Sequence, residues 1–359
     1  MKILILANND IGLYQFRREL ISELLKENEV IISCPTGELI RPLEKMGCCF
    51  IDTAVDRRGI NPKTDFKLLL FYRNIIKKVK PDLIITYTVK PNVYGGLISR
   101  IVDIPYAVNI TGLGTAFQNN GPLRKFVTLM YKLACKNAKV VFFENSENRK
   151  VFIDANIVKA QQTYLLNGAG VNLEHFRVTA YPTGDVTKFL FVGRVMKEKG
   201  INELFAAMRK LVGEGVACSL DVLGGYEEDY NKIIQQYEDE GWLHYHGYQR
   251  DVRPFIANCH CFVLPSWHEG MANTNLECAA MGRPVITSNI PGCREAVEDG
   301  ISGFLCERQN TESLVEVMKR FIGLPRKEQE AMGIAGRKRM EKLFDKKTVV
   351  EKTIAKILI

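Results

Sequence analysis

Two glutamates in the second half of the chain are the most distinctive candidates for chemistry. Glu269 and Glu277 have seven residues between them in SWHEGMANTNLECAAMGRPVI. Glu269 follows the apolar run HCFVLP, and Glu277 falls on the first turns of a helix expected to start near Asn273, where backbone N–H groups favour anions. Glu277 also has a purely structural interpretation, in which it completes a capping box with Thr274.

A glycine and a basic pair lie ahead of another expected helix. FVGRVMKEKG places Gly193, Arg194 and Lys199 between a strand and that helix. Glycine lets a ligand approach the backbone, Arg bonds two phosphate oxygens in a fork, and Lys supplies a point charge. These residue types suit a diphosphate, although a solvated basic turn would contain them as well.

The hydrophobic pattern predicts two sets of elements that position these residues. Short apolar runs alternate with longer amphipathic stretches from KILILA to KVVFFEN, and again from KFLFVGR to RPVITS. Strands alternating with helices predict parallel sheets covered on both faces. The turn-rich stretch TAYPTG, residues 179–184, predicts a linker between the two sets. Two such sheets facing each other would form a central cleft beyond the ends of their strands.

The chain length agrees with two domains of ordinary size. The 359 residues predict an N-terminal domain over residues 1–180, a C-terminal domain over 185–340 and a helix over 341–359 that packs back on the first domain. Ten scattered cysteines without a CxxC pair predict reduced, buried thiols in a cytoplasmic protein. The opening apolar run is too short for a signal peptide or a membrane span.

Positive charge is concentrated in the first half. Residues 1–180 hold 25 basic and 16 acidic side chains, whereas the rest holds 24 and 25. The overall net charge of +8 is modest for a nucleic-acid-binding protein. Two amphipathic helices carry much of the excess, at Lys63, Lys67, Arg73, Lys77, Lys78 and Lys80, and at Arg124, Lys125, Lys132, Lys136 and Lys139. They predict contact with an anionic membrane surface, although the solvated face of a core-packed helix has the same pattern.

A set of motifs in the second half of the chain resembles the C-terminal half of retaining glycosyltransferases of family four. The set consists of FVGRVMKEKG, VLGG, HYHGY, the paired glutamates and PGCREAVEDGISGFL. The resemblance extends over essentially the whole chain and is weaker in the N-terminal half. It implies an α/β protein with the GT-B fold, in which two Rossmann-like parallel-sheet domains face a central cleft. The donor would be a nucleotide-diphosphate sugar, with UDP as the expected nucleotide.

The resemblance also implies a role for each donor-side residue. Arg194 and Lys199 would stabilise the charge on the departing nucleoside diphosphate, Glu269 would bond the donor sugar and Glu277 the ribose. Further contacts to sugar, phosphates and base would come from Gly193, Gly224, Gly247, Tyr248, Gly270, Met271, Ala272 and Asn273. The helix after Asn273 would point its N-terminus at the diphosphate. Because the chain contains no Asp-x-Asp triplet, neither a metal nor another cofactor is expected.

Three N-terminal loops resemble the subgroup that elongates glycans on a polyprenyl diphosphate carrier. The candidate acceptor residues are Gly12, Arg17, Lys90, Thr111 and Gly112, and the two glycines could equally be turn residues. Many relatives carry a histidine in this half, but all five histidines here, His175, His244, His246, His260 and His268, follow residue 170. His268, beside Glu269, is a weak candidate for the vacant role.

The implied function is transfer of a sugar, with N-acetylhexosamine expected, from a UDP-sugar to a lipid-linked saccharide in bacterial capsule or O-antigen synthesis. The enzyme would be metal-independent and peripheral on the inner face of the cell membrane. Two alternatives stay open at this point. One is an enzyme like the UDP-N-acetylglucosamine 2-epimerases, and the other is a non-catalytic subunit that binds a nucleotide sugar.

Overall fold

The computed structural model describes residues 1–55, 61–114, 117 and 121–358. The chain divides into two compact units, unit 1 with Met1–Ala169 and Lys346–Ile359, and unit 2 with Gly170–Asp345. The chain therefore passes between units at residues 169–170 and 345–346. The stretch 179–184, expected to be the linker, lies inside unit 2, where Arg283 donates hydrogen bonds to the carbonyl oxygens of Thr179 and Ala180.

Unit 1 is built on one parallel sheet. Within the described residues its strands are β1 (Lys2–Leu6), β2 (Glu29–Cys34), β3 (Cys49–Asp52), β4 (Leu83–Tyr87), β5 (Tyr106–Ile110), β6 (Val140–Phe143) and β7 (Thr163–Leu165). Their spatial order is β3-β2-β1-β4-β5-β6-β7. The helices between them are α1 (Asp10–Leu25), α2 (Ile40–Lys45), α3 (Pro62–Val79), α4 (Gly96–Ile101), α5 (Pro122–Cys135) and α6 (Ser146–Asp154).

Helices cover both faces of this sheet, because alternate side chains of each strand point to opposite sides. Ile3 and Ile5 of β1 join one hydrophobic core with α1 and α2, and Leu4 and Leu6 join a second core with α3, α4, α5 and α6. The hydrophobic pattern of the sequence predicts the first helix over Gln15–Lys26, but the helix begins at Asp10. Its start is stabilised by the side chain of Asn9, which accepts a hydrogen bond from the N–H of Gly12 at 2.6 Å.

Unit 2 repeats the same architecture. Its described strands are β8 (Thr187–Val192), β9 (Cys218–Leu223), β10 (Leu243–Tyr245), β11 (Cys261–Leu264), β12 (Val285–Ser288) and β13 (Gly303–Cys306), in the order β10-β9-β8-β11-β12-β13. The helices are α7 (Ile201–Gly213), α8 (Asn231–Asp239), α9 (Arg253–Asn258), α10 (Asn273–Ala280), α11 (Thr311–Ile322) and α12 (Arg326–Arg339). The strand order reverses between β8 and β11, and ligands of open α/β sheets bind beyond the strand ends at such a point.

The last helix, α13 (Lys346–Leu358), returns to unit 1 and packs against α1. The Lys346 ammonium group donates to the carbonyl oxygen of Phe16 at 3.1 Å, and Lys139 donates to the carbonyl oxygen of Ile357 at 3.2 Å. None of the helices in the described part of the chain has the length and hydropathy needed to cross a lipid bilayer.

The cysteines behave as apolar core residues. All ten lie in the described part of the chain as unpaired thiols, and nine of them are buried. Burial raises the pKa of Cys34 to about 12, helped by the nearby carboxylates of Asp10 and Asp52. Thiols of this kind stay protonated and unreactive at neutral pH.

A buried histidine predicts a pH dependence of stability. His260 is buried in unit 2, where its Nδ1 atom accepts a hydrogen bond from the backbone N–H of Lys188 at 3.0 Å. Burial, aided by the positive charges of Arg326, Lys188 and Arg283, lowers its pKa from 6.5 to about 4. Between these values the unfolded chain binds a proton that the folded chain does not. The free energy of unfolding should therefore fall as pH drops from about 6.5 to 4, by roughly 2–3 kcal/mol.

Urea unfolding at a series of pH values measures this contribution, and His260→Asn is the matched variant because it keeps a hydrogen-bond acceptor but does not titrate. The difference in the free energy of unfolding between the two proteins should change with pH. This difference isolates His260, because all other groups titrate in both proteins. Parallel curves for the two proteins would contradict the prediction.

Candidate functional site

Three glycine-containing loops of unit 2 lie side by side at the ends of β8, β9 and β10. The N–H of Gly224 donates to the carbonyl oxygen of Gly247 at 2.8 Å, and the N–H of Gly193 donates to that of Leu223 at 2.9 Å. Gly224 has φ +141°, and a Cβ there would lie 1.8 Å from the carbonyl oxygen of Gly193, so only glycine fits. Tyr248 follows with an exposed side chain. The structure thus brings together four of the residues expected to contact the donor.

The basic pair occupies the connection from β8 to α7. Arg194 is half exposed, and its Nη1 atom lies 3.3 Å from Oε2 of Glu227. An exposed ion pair of this kind contributes little stability, so the guanidinium can exchange this partner for a phosphate. Lys199 ends a short 3-10 turn, Lys197–Lys199, and forms an ion pair with Glu269. The Lys199 and Glu269 side chains are only 19% and 11% exposed.

The pairing of Lys199 with Glu269 rests on backbone contacts between two loops. The Trp267 N–H donates to the carbonyl oxygen of Glu198 at 2.9 Å, and the Ser266 hydroxyl donates to the same oxygen at 3.2 Å. Gly200, at φ +73°, lets the chain turn against the carbonyl oxygen of Pro265, which a Cβ would approach to 2.0 Å. The loop after β11 is therefore docked on the turn before α7, at the switch point of the sheet.

A third loop, after β12, supports the residues expected to contact the sugar. The N–H of Ala272 donates to the carbonyl oxygen of Gly292 at 2.7 Å. Gly292 has φ +83°, and a Cβ there would lie 2.5 Å from the carbonyl oxygen of Gly270 and 2.9 Å from that of Glu269. Gly292 was not among the residues predicted from the sequence, and the signal available there was the Pro-Gly pair in the loop after a predicted strand.

Helix α10 starts at Asn273, and the capping-box interpretation of Glu277 is wrong. The N-cap residue is Ala272, and no side chain of the described residues caps this helix. Thr274 lies within the first turn, and Glu277 lies on the second with its side chain partly buried. Met271 and Ala272 are buried and so present mainly backbone. The helix N-terminus, which favours anions, lies directly after the loop that holds Glu269.

In unit 1, Arg17 and Lys90 are each bound by a carboxylate, which the sequence did not indicate. Arg17 Nη2 lies 2.6 Å from Oε1 of Glu144, and its guanidinium lies over the ring of Tyr87 at 5.0 Å. Lys90 Nζ lies 2.7 Å from Oδ1 of Asp65. Burial raises the pKa of Glu144, and the charge of Arg17 opposes that rise. Both cations are largely buried, so an acceptor diphosphate would have to compete with an existing partner.

The other acceptor candidates lie at the same edge of the unit 1 sheet. Gly12 lies in the first turn of helix α1 rather than in a loop. Thr111 and Gly112 directly follow β5 and are partly buried. Residues 115 and 116 of the TGLGTAF motif lie outside the described residues.

Buried polar side chains join the loops after β4 and β5. The Thr86 hydroxyl donates to Oδ1 of Asn92 at 2.7 Å, and Nδ2 of Asn92 donates to the carbonyl oxygen of Asn109 at 2.8 Å. Thr88, between them, has φ +73°, a strained value for a β-branched residue. Backbone strain of this kind concentrates at functional sites.

His268 contacts Glu198 in the turn before α7, as Trp267 and Ser266 do. Its Nε2 atom lies 3.5 Å from Oε2 of Glu198, and desolvation lowers its pKa although Glu198 opposes the shift. That His268 takes the role of the missing N-terminal histidine stays a prediction. Over the described ranges, no three His, Cys, Asp or Glu side chains are grouped so that they could hold a metal ion.

Comparisons with known families and proteins match both halves of the chain. The family described as Glycosyl transferases group 1 matches residues 175–339, and the family described as Glycosyl transferase 4-like matches residues 2–145. A Campylobacter jejuni protein named N,N'-diacetylbacillosaminyl-diphospho-undecaprenol alpha-1,3-N-acetylgalactosaminyltransferase is 25% identical over 334 residues, which cover 88% of each chain.

Another relative and a solved structure agree with these matches. The Escherichia coli UDP-Gal:alpha-D-GlcNAc-diphosphoundecaprenol alpha-1,3-galactosyltransferase is 29% identical over 285 residues, covering 73% of this chain and 72% of the relative. The crystal structure of Anabaena HepE in complex with UDP and glucose aligns with a TM-score of 0.83 at 17% identity, covering 99% of this chain and 98% of that one. The expected GT-B fold, with two parallel-sheet α/β domains, is confirmed.

Proposed function

Because the chain belongs to the group 1 and 4-like glycosyltransferases and has the GT-B fold, we propose that it transfers a sugar from a UDP-sugar to a saccharide on a polyprenyl diphosphate carrier, with retention of anomeric configuration. The proposed sugar is an N-acetylhexosamine. The observation that carries the proposal is the pairing of Lys199 with Glu269 at the switch point of the unit 2 sheet, next to the start of α10.

The geometry of unit 2 suits the donor. In the reaction, the bond from the anomeric carbon to the diphosphate breaks, and both electrons leave on UDP. The acceptor hydroxyl oxygen bonds to the same carbon, and its proton passes to a phosphate oxygen of the departing UDP. Arg194, Lys199 and the N–H groups of α10 would stabilise the charge that grows on UDP. Glu269 would hold the sugar hydroxyls, and Glu277 the ribose.

Unit 1 is proposed to bind the acceptor, at the loops that carry Gly12, Arg17, Lys90, Thr111 and Gly112. The names of two relatives contain the term diphospho-undecaprenol or diphosphoundecaprenol. A relative in Staphylococcus aureus is named a capsular polysaccharide biosynthesis glycosyltransferase. The proposal therefore places this enzyme in cell-surface glycan synthesis, at the inner face of the membrane, where a lipid-linked acceptor would be reached.

Incubation with labelled UDP-sugars and polyprenyl-diphosphate saccharides tests the proposal. We expect release of UDP and a labelled lipid-linked product whose anomeric proton signal in NMR matches the configuration of the donor. A thermal-shift screen identifies the donor first, because a ligand at about 100 times its dissociation constant adds roughly 2.7 kcal/mol to stability. Donor binding without turnover would favour the non-catalytic subunit, and an epimerised UDP-sugar would favour the epimerase.

We predict that transfer continues after chelation of divalent metal ions. The positive charges of Arg194 and Lys199 and the N-terminus of α10 would balance the diphosphate charge without a cation. Initial rates measured with EDTA in excess should equal those measured without it. Abolition by EDTA, with recovery on adding magnesium or manganese, would contradict the prediction.

A further inference from the structure

An apolar stripe lies on the outer face of helix α5. Leu123, Phe126, Leu129 and Leu133 are spaced three or four residues apart, which places them on one side of the helix. Phe126 and Leu129 are 52% and 53% exposed, although both are large hydrophobic side chains. The opposite side of α5 is already buried against the sheet through Tyr131. The four residues of the outer stripe are not members of the hydrophobic core that lies under α5.

Neighbouring helices carry further exposed apolar side chains. Helix α4 contacts both α3 and α5, and Nη1 of Arg100 donates to the carbonyl oxygen of Leu133 at 2.9 Å. Ile101 on α4 and Phe66 and Leu70 on α3 are exposed as well. The apolar surface of unit 1, as we define it, consists of Phe66, Leu70, Ile101, Leu123, Phe126, Leu129 and Leu133. Large apolar side chains exposed on adjacent helices indicate an interaction site.

The charges around this surface are positive. Lys125, Lys132 and Lys136 form a row beside the stripe of α5, and residues 121–143 include no acidic residue. Helix α3 adds exposed basic residues at Lys63, Lys67, Arg73, Lys77 and Lys78. Its one acidic residue, Asp65, is buried and bonded to Lys90. An anionic surface therefore complements these helices, whereas a second copy would oppose positive charge with positive charge.

We propose that the apolar surface of unit 1 inserts into an anionic lipid bilayer. The apolar side chains of α5, with those of α3 and α4, enter between the headgroups, and the surrounding Lys and Arg side chains contact lipid phosphates. This inference rests on the proposed function in one respect, because a polyprenyl diphosphate acceptor holds its diphosphate at headgroup depth. Binding by insertion differs from purely electrostatic adsorption, since salt screens charges but not apolar burial.

Flotation of the full chain with vesicles of phosphatidylcholine and phosphatidylglycerol, without donor or acceptor, tests the insertion. Wild type should bind at low salt and keep part of this binding in about 1 M salt, where the Debye length is about 3 Å. Phe126→Gln combined with Leu129→Gln should lower the affinity about tenfold or more at both salt concentrations. Ile301→Gln, at an exposed hydrophobic residue of unit 2, is the matched control and should bind as wild type.

A charge-reversal variant separates the two contributions. The combined substitutions Lys63→Glu, Lys67→Glu, Lys77→Glu and Lys78→Glu should weaken vesicle binding at low salt and leave the binding that resists high salt. If all binding disappears in about 1 M salt, or if the Phe126 and Leu129 substitutions leave affinity unchanged, insertion is wrong. A wild-type dimer in sedimentation that these two substitutions dissociate, without vesicle binding, would instead identify a subunit interface.

Transfer assays keep this inference separate from the proposed function. The Phe126 and Leu129 double variant should use a short, water-soluble acceptor as wild type does, and should lose activity on a long-chain acceptor in vesicles. Equal losses on both acceptors would show that these residues serve the fold. Because flotation uses no substrate, wild type that binds vesicles but transfers no sugar would overturn the proposed function and leave the insertion supported.

Discussion

Lys199→Ala should lower kcat/KM for the donor by about tenfold to over a hundredfold, because a charge-assisted hydrogen bond contributes roughly 1.5–3 kcal/mol. Lys199 is the cation proposed to stabilise the departing diphosphate, and it also holds Glu269 in place. Its substitution removes one positive charge from beside the leaving group. It also leaves the largely buried Glu269 carboxylate without this partner. Both effects act on the transition state, so kcat should fall together with kcat/KM.

Lys197→Ala is the matched control, because Lys197 lies on the same three-residue turn with an exposed side chain. Steady-state kinetics of both variants, together with their melting temperatures, separate a catalytic loss from unfolding. Lys197→Ala should stay close to wild type. Wild-type kinetics for a folded Lys199→Ala enzyme would remove Lys199 from the site.

Gly292→Ala should lower kcat/KM by at least about tenfold, because small displacements of positioning residues cause losses up to about a hundredfold. A methyl group at Gly292 would lie 2.5 Å from the carbonyl oxygen of Gly270 and 2.9 Å from that of Glu269. The loop after β11 would have to move away, and it carries the residues expected to contact the sugar. Stability should also fall, since alanine is strained at φ +83°.

Gly215→Ala separates the displacement from the backbone strain. Gly215 has nearly the same φ, +79°, but nothing lies within 4 Å of the position of its Cβ. It should show the cost of strain alone, about 1–2 kcal/mol in the free energy of unfolding, with unchanged kinetics. Urea unfolding and initial rates of both variants are the measurements. Equal kinetic losses in the two would mean that contact with Glu269 and Gly270 is irrelevant.

Much of the fold follows from the sequence by itself, because it depends on local pattern. Apolar runs such as KILILA and KFLFVG alternate with amphipathic stretches, and this alternation determines parallel sheets with helices on both faces. The two basic amphipathic helices predicted around residues 63–80 and 124–139 are confirmed as α3 and α5. The start of α1 differed because the side chain of Asn9 caps it, which a hydrophobic pattern does not include.

Local sequence pattern also predicts the residue types of a donor site, but it does not indicate all their partners. Gly193, Arg194, Lys199, Glu269 and Glu277 stand directly after strands or at a helix start, so their sequence positions indicate the ligand-binding edge. Their chemistry, two cations with two carboxylates, was also visible in the sequence.

Only the tertiary structure decided which of these side chains meet. Lys199 and Glu269 are 70 residues apart in the chain, and Arg17 and Glu144 are 127 apart. Gly292 reaches the Glu269 loop only because β12 lies beside β11. Contacts of this kind depend on strand order and on how loops pack, and no local pattern records them. For the same reason the sequence does not reveal that Phe126 and Leu129 are exposed. The pattern of an amphipathic helix is the same whether or not a neighbouring element covers its apolar residues.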